Sequence, residues 1–400
     1  EDDKKLQILY AGNEALQDEV KENLTKVSEL HIAPNIQPTL NQKQLYPAQK
    51  ELAEVFKVIR RKKVGGVSEV LTWTEGHTEA AATALGRVIR FLSKKYDPDK
   101  GVLGVDLGSR NTTIAGGFNG EETLRVFSNL GMGYGSRQIL DNNELSDIMR
   151  WLPVKIPPHF VRDYLHNKSI YPDSLPATKE EMALEQAMAK QILRSTVLST
   201  MADFPERYKK GSLLPHMEPI IGSGSVLTQA PTRAHSLLML LDGLQPTGVT
   251  TLALDQNGLL PSLGVISDIN PVLTVQIIES STFLNLGTII APTGNARPGT
   301  PILRVRVTKR DGETAAREVR FGTLNILPIG LGEKVTLHLR PLHGFDVGMG
   351  GPGRPGKVSA VGGSLGIIID ARGRPIRFFQ DEERNQDRMK KWIDVLEKYK

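Results

Sequence analysis

Three short strand-like runs, Val102–Leu107, Thr112–Phe118 and Thr123–Phe127, are joined by the links Gly108–Asn111 and Asn119–Glu122. Links of that size leave little choice. Each strand must turn back on the one before it, which predicts an antiparallel β-meander. The first link holds more than a turn requires. In GVDLGSRNTTIAGGF, Asp106 closes the first strand and Gly108 lets the backbone approach a ligand closely. Ser109, Arg110, Asn111, Thr112 and Thr113 add hydrogen-bonding groups. Such a set suits a phosphate, and the Asp106 carboxylate suits a hydrated Mg²⁺ beside it. An ordinary hairpin with turn-favouring residues accounts for the same letters.

The flanking chain reads as α/β. Leu6–Tyr10 is a strand, and Asn13 is placed to cap the helix EALQDEVKENL. Residues 33–47 read as loop, with helices over 47–62 and 78–95. Asp97-Pro98-Asp99-Lys100-Gly101 marks a turn and a candidate boundary. The glycine-rich run Gly131–Ser136 follows the meander, and then a helix from about Arg137 to Trp151. The proline-rich stretch 153–177 is expected to wrap the surface. Thr178 and Glu181 are spaced as a capping box at the start of a long helix. Pro219-Ile220-Ile221 is a short strand running into Gly222-Ser223-Gly224-Ser225, before a helix from Ala230 to Leu241. That strand–turn–helix order suits an adenosine or phosphate packed on backbone. Glycines serving close helix–strand packing explain it equally well. Val249–Leu254 is a further strand.

From about Leu273 the texture changes to the β-runs LTVQII, TPILRVRVT, REVRFGTLNIL, EKVTLHLRP and GGSLGIIID, split by glycine and proline. A separate β-barrel or β-sandwich is expected there. The end, QDEERNQDRMKKWIDVLEKYK, has the spacing of an amphipathic helix.

The composition removes whole classes of chemistry. With no cysteine there are no disulfides, thiolate zinc sites or cysteine nucleophiles. The eight histidines are scattered without ligand spacing. Gly351–Lys357 fits the letters G-x-x-x-x-G-K, yet Val358 stands where Ser or Thr should hold Mg²⁺ and two prolines remove N–H donors, so a phosphate loop is rejected. Gly344–Gly348 and Asp370–Arg374 read as β-turns, the second with a local Asp–Arg pair. The net charge of +5 is interspersed along the chain, with no aromatic–basic stripe, which argues against nucleic acid as a partner. No apolar run has the length of a membrane span and no secretory signal is visible, so the expected location is the cytoplasm. The opening EDDKK, entering LQILYAGN at once, reads as a fragment entered mid-fold.

Strand–D-x-G–polar–strand, followed later by strand–G-x-G–helix, resembles the second half of an actin-like (ribonuclease H-like) ATPase of the sugar kinase, Hsp70 and actin superfamily. The segments ILYAGNEALQDEV, VLGVDLGSRNTTIAG, NLGMGYGSRQIL and IIGSGSVLTQAPTRAHSLLMLLDGLQPTGVTTLALD are similar to those of the glutamate mutase L family, over roughly residues 6 to 275. The resemblance implies an α/β fold, a partial actin-like ATPase domain followed by the β-barrel or β-sandwich. It divides the chain into a remnant of a first actin-like subdomain (1–97), a second subdomain (98–275), a β-rich domain (276–380) and a C-terminal helix (381–400). It implies ATP and Mg²⁺ as cofactors and a reactivating chaperone role for a cobalamin-dependent mutase as protein partner. Asp106 would be the catalytic and metal-binding acid. Gly108, Ser109, Arg110, Asn111, Thr112 and Thr113 would bind phosphate, and Gly222, Ser223, Gly224 and Ser225 would face adenosine. The oligomeric state, monomer or homo-oligomer, stays open.

The departures from the family pattern matter. The N-terminal D-I-G-S-T hairpin is absent. At the second hairpin, close to D-V-G-G-A-T-T-D in the family, Ser109 and Arg110 replace small residues and Thr113 replaces an acid. Ser225 replaces a glycine. These changes argue against hydrolysis, and they carry a rival reading: a non-catalytic scaffold that docks a partner and binds no nucleotide.

Overall fold

A computed structural model describes residues 5–40, 44–76 and 78–398. Glu1–Lys4, part of the expected loop at 41–43, and the last two residues of the expected C-terminal helix lie outside these. Contacts divide the chain into two units, 1–78 and 79–400. In the first unit, β1 (Leu6–Tyr10) pairs in parallel with β2 (Ser28–Ile32) through the crossover helix α1 (Gln17–Leu24). Asn13 caps the 3-10 turn that leads into α1, its side-chain oxygen accepting the Ala15 N–H at 3.1 Å. The helices α2 (Tyr46–Lys63) and α3 (Val67–Trp73) complete the unit.

The second unit opens with α4 (Ala81–Ser93), followed by the meander β3 (Gly101–Leu107), β4 (Thr112–Phe118) and β5 (Glu121–Phe127). Leu85, Val88, Ile89 and Leu92 of α4 are buried against the meander, so α4 belongs with the strands. The division therefore falls at 78/79 and not at the turn Asp97–Gly101. The helix expected over 137–151 is a 3-10 turn, Arg137–Asp141, and then α5 (Leu145–Met149). The stretch expected to wrap the surface holds α6 (Pro158–Ile170), with Val161 and Leu165 fully buried. Pro158 stands at its first position, where a missing N–H costs nothing. Next comes α7 (Lys179–Met201), opened by the Thr178/Glu181 capping box.

The chain continues through β6 (Met217–Ser223), α8 (Ser225–Thr228), α9 (Arg233–Leu244), β7 (Gly248–Leu254), α10 (Leu260–Ile269) and α11 (Pro271–Glu279). The apolar run LTVQII, read as a strand, is inside α11. Pro271 opens that helix, and the Asn270 side chain accepts the Leu273 N–H at 3.0 Å. The remainder is β8 (Leu284–Ala291), β9 (Pro301–Thr308), β10 (Thr314–Arg320), β11 (Leu324–Leu327), β12 (Lys334–Pro341), β13 (Gly356–Val361), β14 (Ile367–Asp370) and α12 (Glu382–Glu397).

The strands form an eight-stranded mixed sheet, β11-β14-β8-β7-β6-β3-β4-β5, and a four-stranded antiparallel sheet, β10-β9-β12-β13. The region around β3, β6 and β7 is covered on both faces, as its near-continuous buried runs require. Leu103, Val105 and Leu107 point into a core shared with α7 and α9, and Val102 points into one shared with α4 and α10. Strands from beyond residue 275 therefore extend the α/β sheet instead of forming a wholly separate body. The four-stranded sheet is open, with no pairing between β10 and β13 among the described residues. Its apolar face shares a core with Val249, Ile290, Ile367 and Ile369 of the larger sheet, a two-layer packing.

One buried ionic cluster ties the C-terminal segment to the helices. Arg372 bonds Asp370 through two nitrogens at 2.8 Å and Asp242 of α9 at 2.6 Å. Arg374 meets Asp370 at 2.7 Å, and Lys190 of α7 meets Asp242 at 2.9 Å. Burial alone would raise the Asp370 pKa; Arg372 and Arg374 overcome it and hold the carboxyl well below the usual range. The Asp–Arg turn expected at 370–374 thus reaches across the fold. Among the described residues, no helix is long and apolar enough to cross a membrane.

Candidate functional site

The strands β3, β6 and β7 run parallel, so their carboxyl ends lie along one edge. Open α/β sheets bind ligands outside that edge. Asp106 stands opposite Ser223 in the β3–β6 register. Asp255 follows the end of β7, and its N–H donates to the Gly222 carbonyl at 2.8 Å. Burial raises the Asp106 pKa; the Ser223 side chain opposes this and Asp255 adds to it. Two carboxylates and a hydroxyl from three strands thus converge, although 149 residues of sequence separate the acids (255 − 106).

The turn after β3 is held from behind. The Gly108 N–H donates to the Asn111 carbonyl at 3.0 Å, closing the hairpin. The segment 131–135 then wraps it. The N–H groups of Met132 and Gly133 donate to the carbonyls of Gly108 and Ser109 at 2.9 and 2.8 Å. A β-carbon at Gly131 would collide with the Gly108 and Ser109 carbonyls, which explains a glycine there. Arg110 lies over the Tyr134 ring at 4.9 Å.

Two expected phosphate ligands are drawn into this packing. The Thr112 hydroxyl donates to the Leu130 carbonyl at 2.8 Å and the residue is fully buried. Thr113 is buried in β4 opposite Asp106. The Asn111 side-chain oxygen accepts the Asn129 N–H at 3.4 Å. Ser109, Arg110 and Asn111 remain exposed at the turn.

The turn Gly222–Ser225 sits beside the hairpin. Gly224 has φ of 102°, and a β-carbon there would collide with the Leu107 carbonyl. Close approach to β3 therefore dictates this glycine. Gly222 is buried between Leu240, Leu254 and Leu227, so it too serves packing. Ser223 faces Asp106, and Ser225 is exposed at the start of α8.

Sequence reasoning missed Asp255 and the role of 131–135. The signal for the first was an acid closing a strand, as Asp106 does. For the second it was glycine at alternate positions of Gly131-Met132-Gly133-Tyr134-Gly135. Asp255 also opens α10, its two oxygens accepting the Leu259 and Leu260 N–H groups at 2.9 and 2.8 Å.

A family model described as MutL protein matches residues 1–282. A curated relative, Protein MutL of Clostridium tetanomorphum, is 24% identical over 252 residues, covering 56% of this chain and 54% of the relative. The chain spans about half the length of that relative. With the family model matching well over half of the chain, the protein belongs to the MutL family, that of glutamate mutase L.

Proposed function

We propose that this chain is an actin-like, nucleotide-binding accessory protein that takes ATP with Mg²⁺ and serves as a reactivating chaperone for a cobalamin-dependent mutase. The observation that carries the nucleotide reading is the convergence of Asp106, Ser223 and Asp255 at the carboxyl ends of three parallel strands. Mg²⁺ takes one or two carboxylates and keeps several waters. Asp106 beside Asp255 fits that demand, and among the described residues no group of three or more acids or histidines forms an all-protein cage. The metal would set positive charge against the phosphates. Ser109, Arg110 and Asn111 would contact them from the turn, with Arg110 held in place by Tyr134. The family's second acid is Thr113 here, buried and without a carboxylate, so the reading is one of binding with little hydrolysis.

Calorimetric titration of ATP with Mg²⁺ tests it. Saturable binding to the chain, lost in Asp106→Ala, is the expected result. Silence at millimolar ATP overturns it.

A second reading, a scaffold without nucleotide, is favoured by the open face of the four-stranded sheet. Arg304, Arg306, His338, Arg340 and Lys357 line a groove of about 670 Å³ there, with Glu318 as its acid. Register places His338 beside both Arg306 and Lys357, and Arg340 beside Arg304. That charge suits an acidic segment of a protein partner. Silence towards ATP, together with salt-sensitive binding of poly-glutamate, selects this reading.

A further inference from the structure

A pocket of about 460 Å³ lies between α7, the segment around α5 and the stretch 375–378. It includes Gln245, which precedes β7, so it sits toward the amino ends of the strands, away from Asp106. Its apolar wall is Trp151 and Phe378, with ring centroids 4.8 Å apart and edge to face. Gln191 is locked beside them. Its side-chain oxygen accepts from the Trp151 indole and the Arg150 guanidinium, both at 3.0 Å, and its amide donates to Asn143 at 2.6 Å.

The charge in this pocket does not balance. Arg150 pairs with Asp147 at 3.1 Å. Its Nε, sealed from solvent, has no hydrogen-bond partner. Arg194 is half-buried, and its guanidinium shows no hydrogen bond or ion pair among the described residues. Burial, then Arg150, then Arg374 lower its pKa to about 10. Arg374 is itself engaged with Asp370 and does not need Arg194 as a neighbour. A half-buried cation crowded by like charge, in a pocket whose one lining acid, Asp147, is already paired with Arg150, is costly unless an anion completes the site.

We infer that this pocket binds a small organic anion, with a carboxylate or phosphate on Arg194 and Arg150 and an apolar or planar remainder along Phe378. Its volume is that of an ordinary small-molecule site. Its position makes it a second site, independent of the proposed nucleotide.

Titrations with inorganic phosphate and with succinate, read by calorimetry and by tryptophan fluorescence from the wall residue Trp151, test the assignment. Saturable binding of at least one anion is expected. Phosphate alone points to an organic phosphate, and succinate alone to a carboxylate. Arg194→Gln should weaken binding at least tenfold, about 1.4 kcal/mol, with its thermal midpoint unchanged or raised, because a repulsive charge is gone. Arg194→Lys should restore part of the affinity. Asp106→Ala should leave binding unaltered, which separates this site from the nucleotide reading. The inference is overturned if neither anion binds at about 10 mM, or if Arg194→Gln binds as tightly as the parent.

Discussion

Asp106 sits where burial and nearby Asp255 favour its neutral form, while a Mg²⁺–phosphate ligand requires the charged one. Its folded pKa lies above its ordinary value. Between the two values the folded chain holds more protons than the unfolded one, so stability falls as pH rises through that window. At neutral pH the charged carboxylate is therefore a burden on the fold. Asp106→Asn should raise the thermal midpoint by about 2 °C near neutrality. The gain should vanish at a pH low enough to protonate the parent residue, and scanning calorimetry at both pH values checks it. The same variant should lose Mg²⁺-dependent ATP binding. The hairpin that carries Asp106 and Gly108 was legible in the sequence because strand, acid and glycine stand side by side. The packing of Thr112 was not legible, because its hydroxyl answers to Leu130, a partner that local spacing does not reveal.

At the scale of elements, α11 shows how a cap overrides an apolar run. LTVQII has a strand's composition, but Asn270 supplies the acceptor and Pro271 the first turn of a helix. Asn270→Ala should cost about 1 kcal/mol, seen as a lower denaturation midpoint with no change in slope. The meander, the capping box of α7 and most late strands were readable from turn residues and period, which are local signals. The assignment of β8, β11 and β14 to the larger sheet was not readable. It depends on pairings such as Ile367 with Thr288 and Leu324 with Asp370, set by packing far along the chain.

At the scale of the whole molecule, the second unit is joined by its sheet and by the Asp242–Arg372–Asp370 cluster. The family match ends at residue 282, just before β8. Strands beyond that point nonetheless complete the same sheet. Arg372→Met should destabilise the chain by about 3–5 kcal/mol, because Asp242 and Asp370 stay buried with one cation each; urea denaturation measures it. A cost near zero would mean that the surrounding packing, including Trp392 stacked at 4.6 Å from the guanidinium, holds the segment unaided. The insertion of β14 between β8 and β11 has a temporal side. On the ribosome, β8 and β11 emerge first and keep bare edges until residues 367–370 follow. Throughout that interval the nascent chain is open to strand exchange with a neighbour on the same messenger.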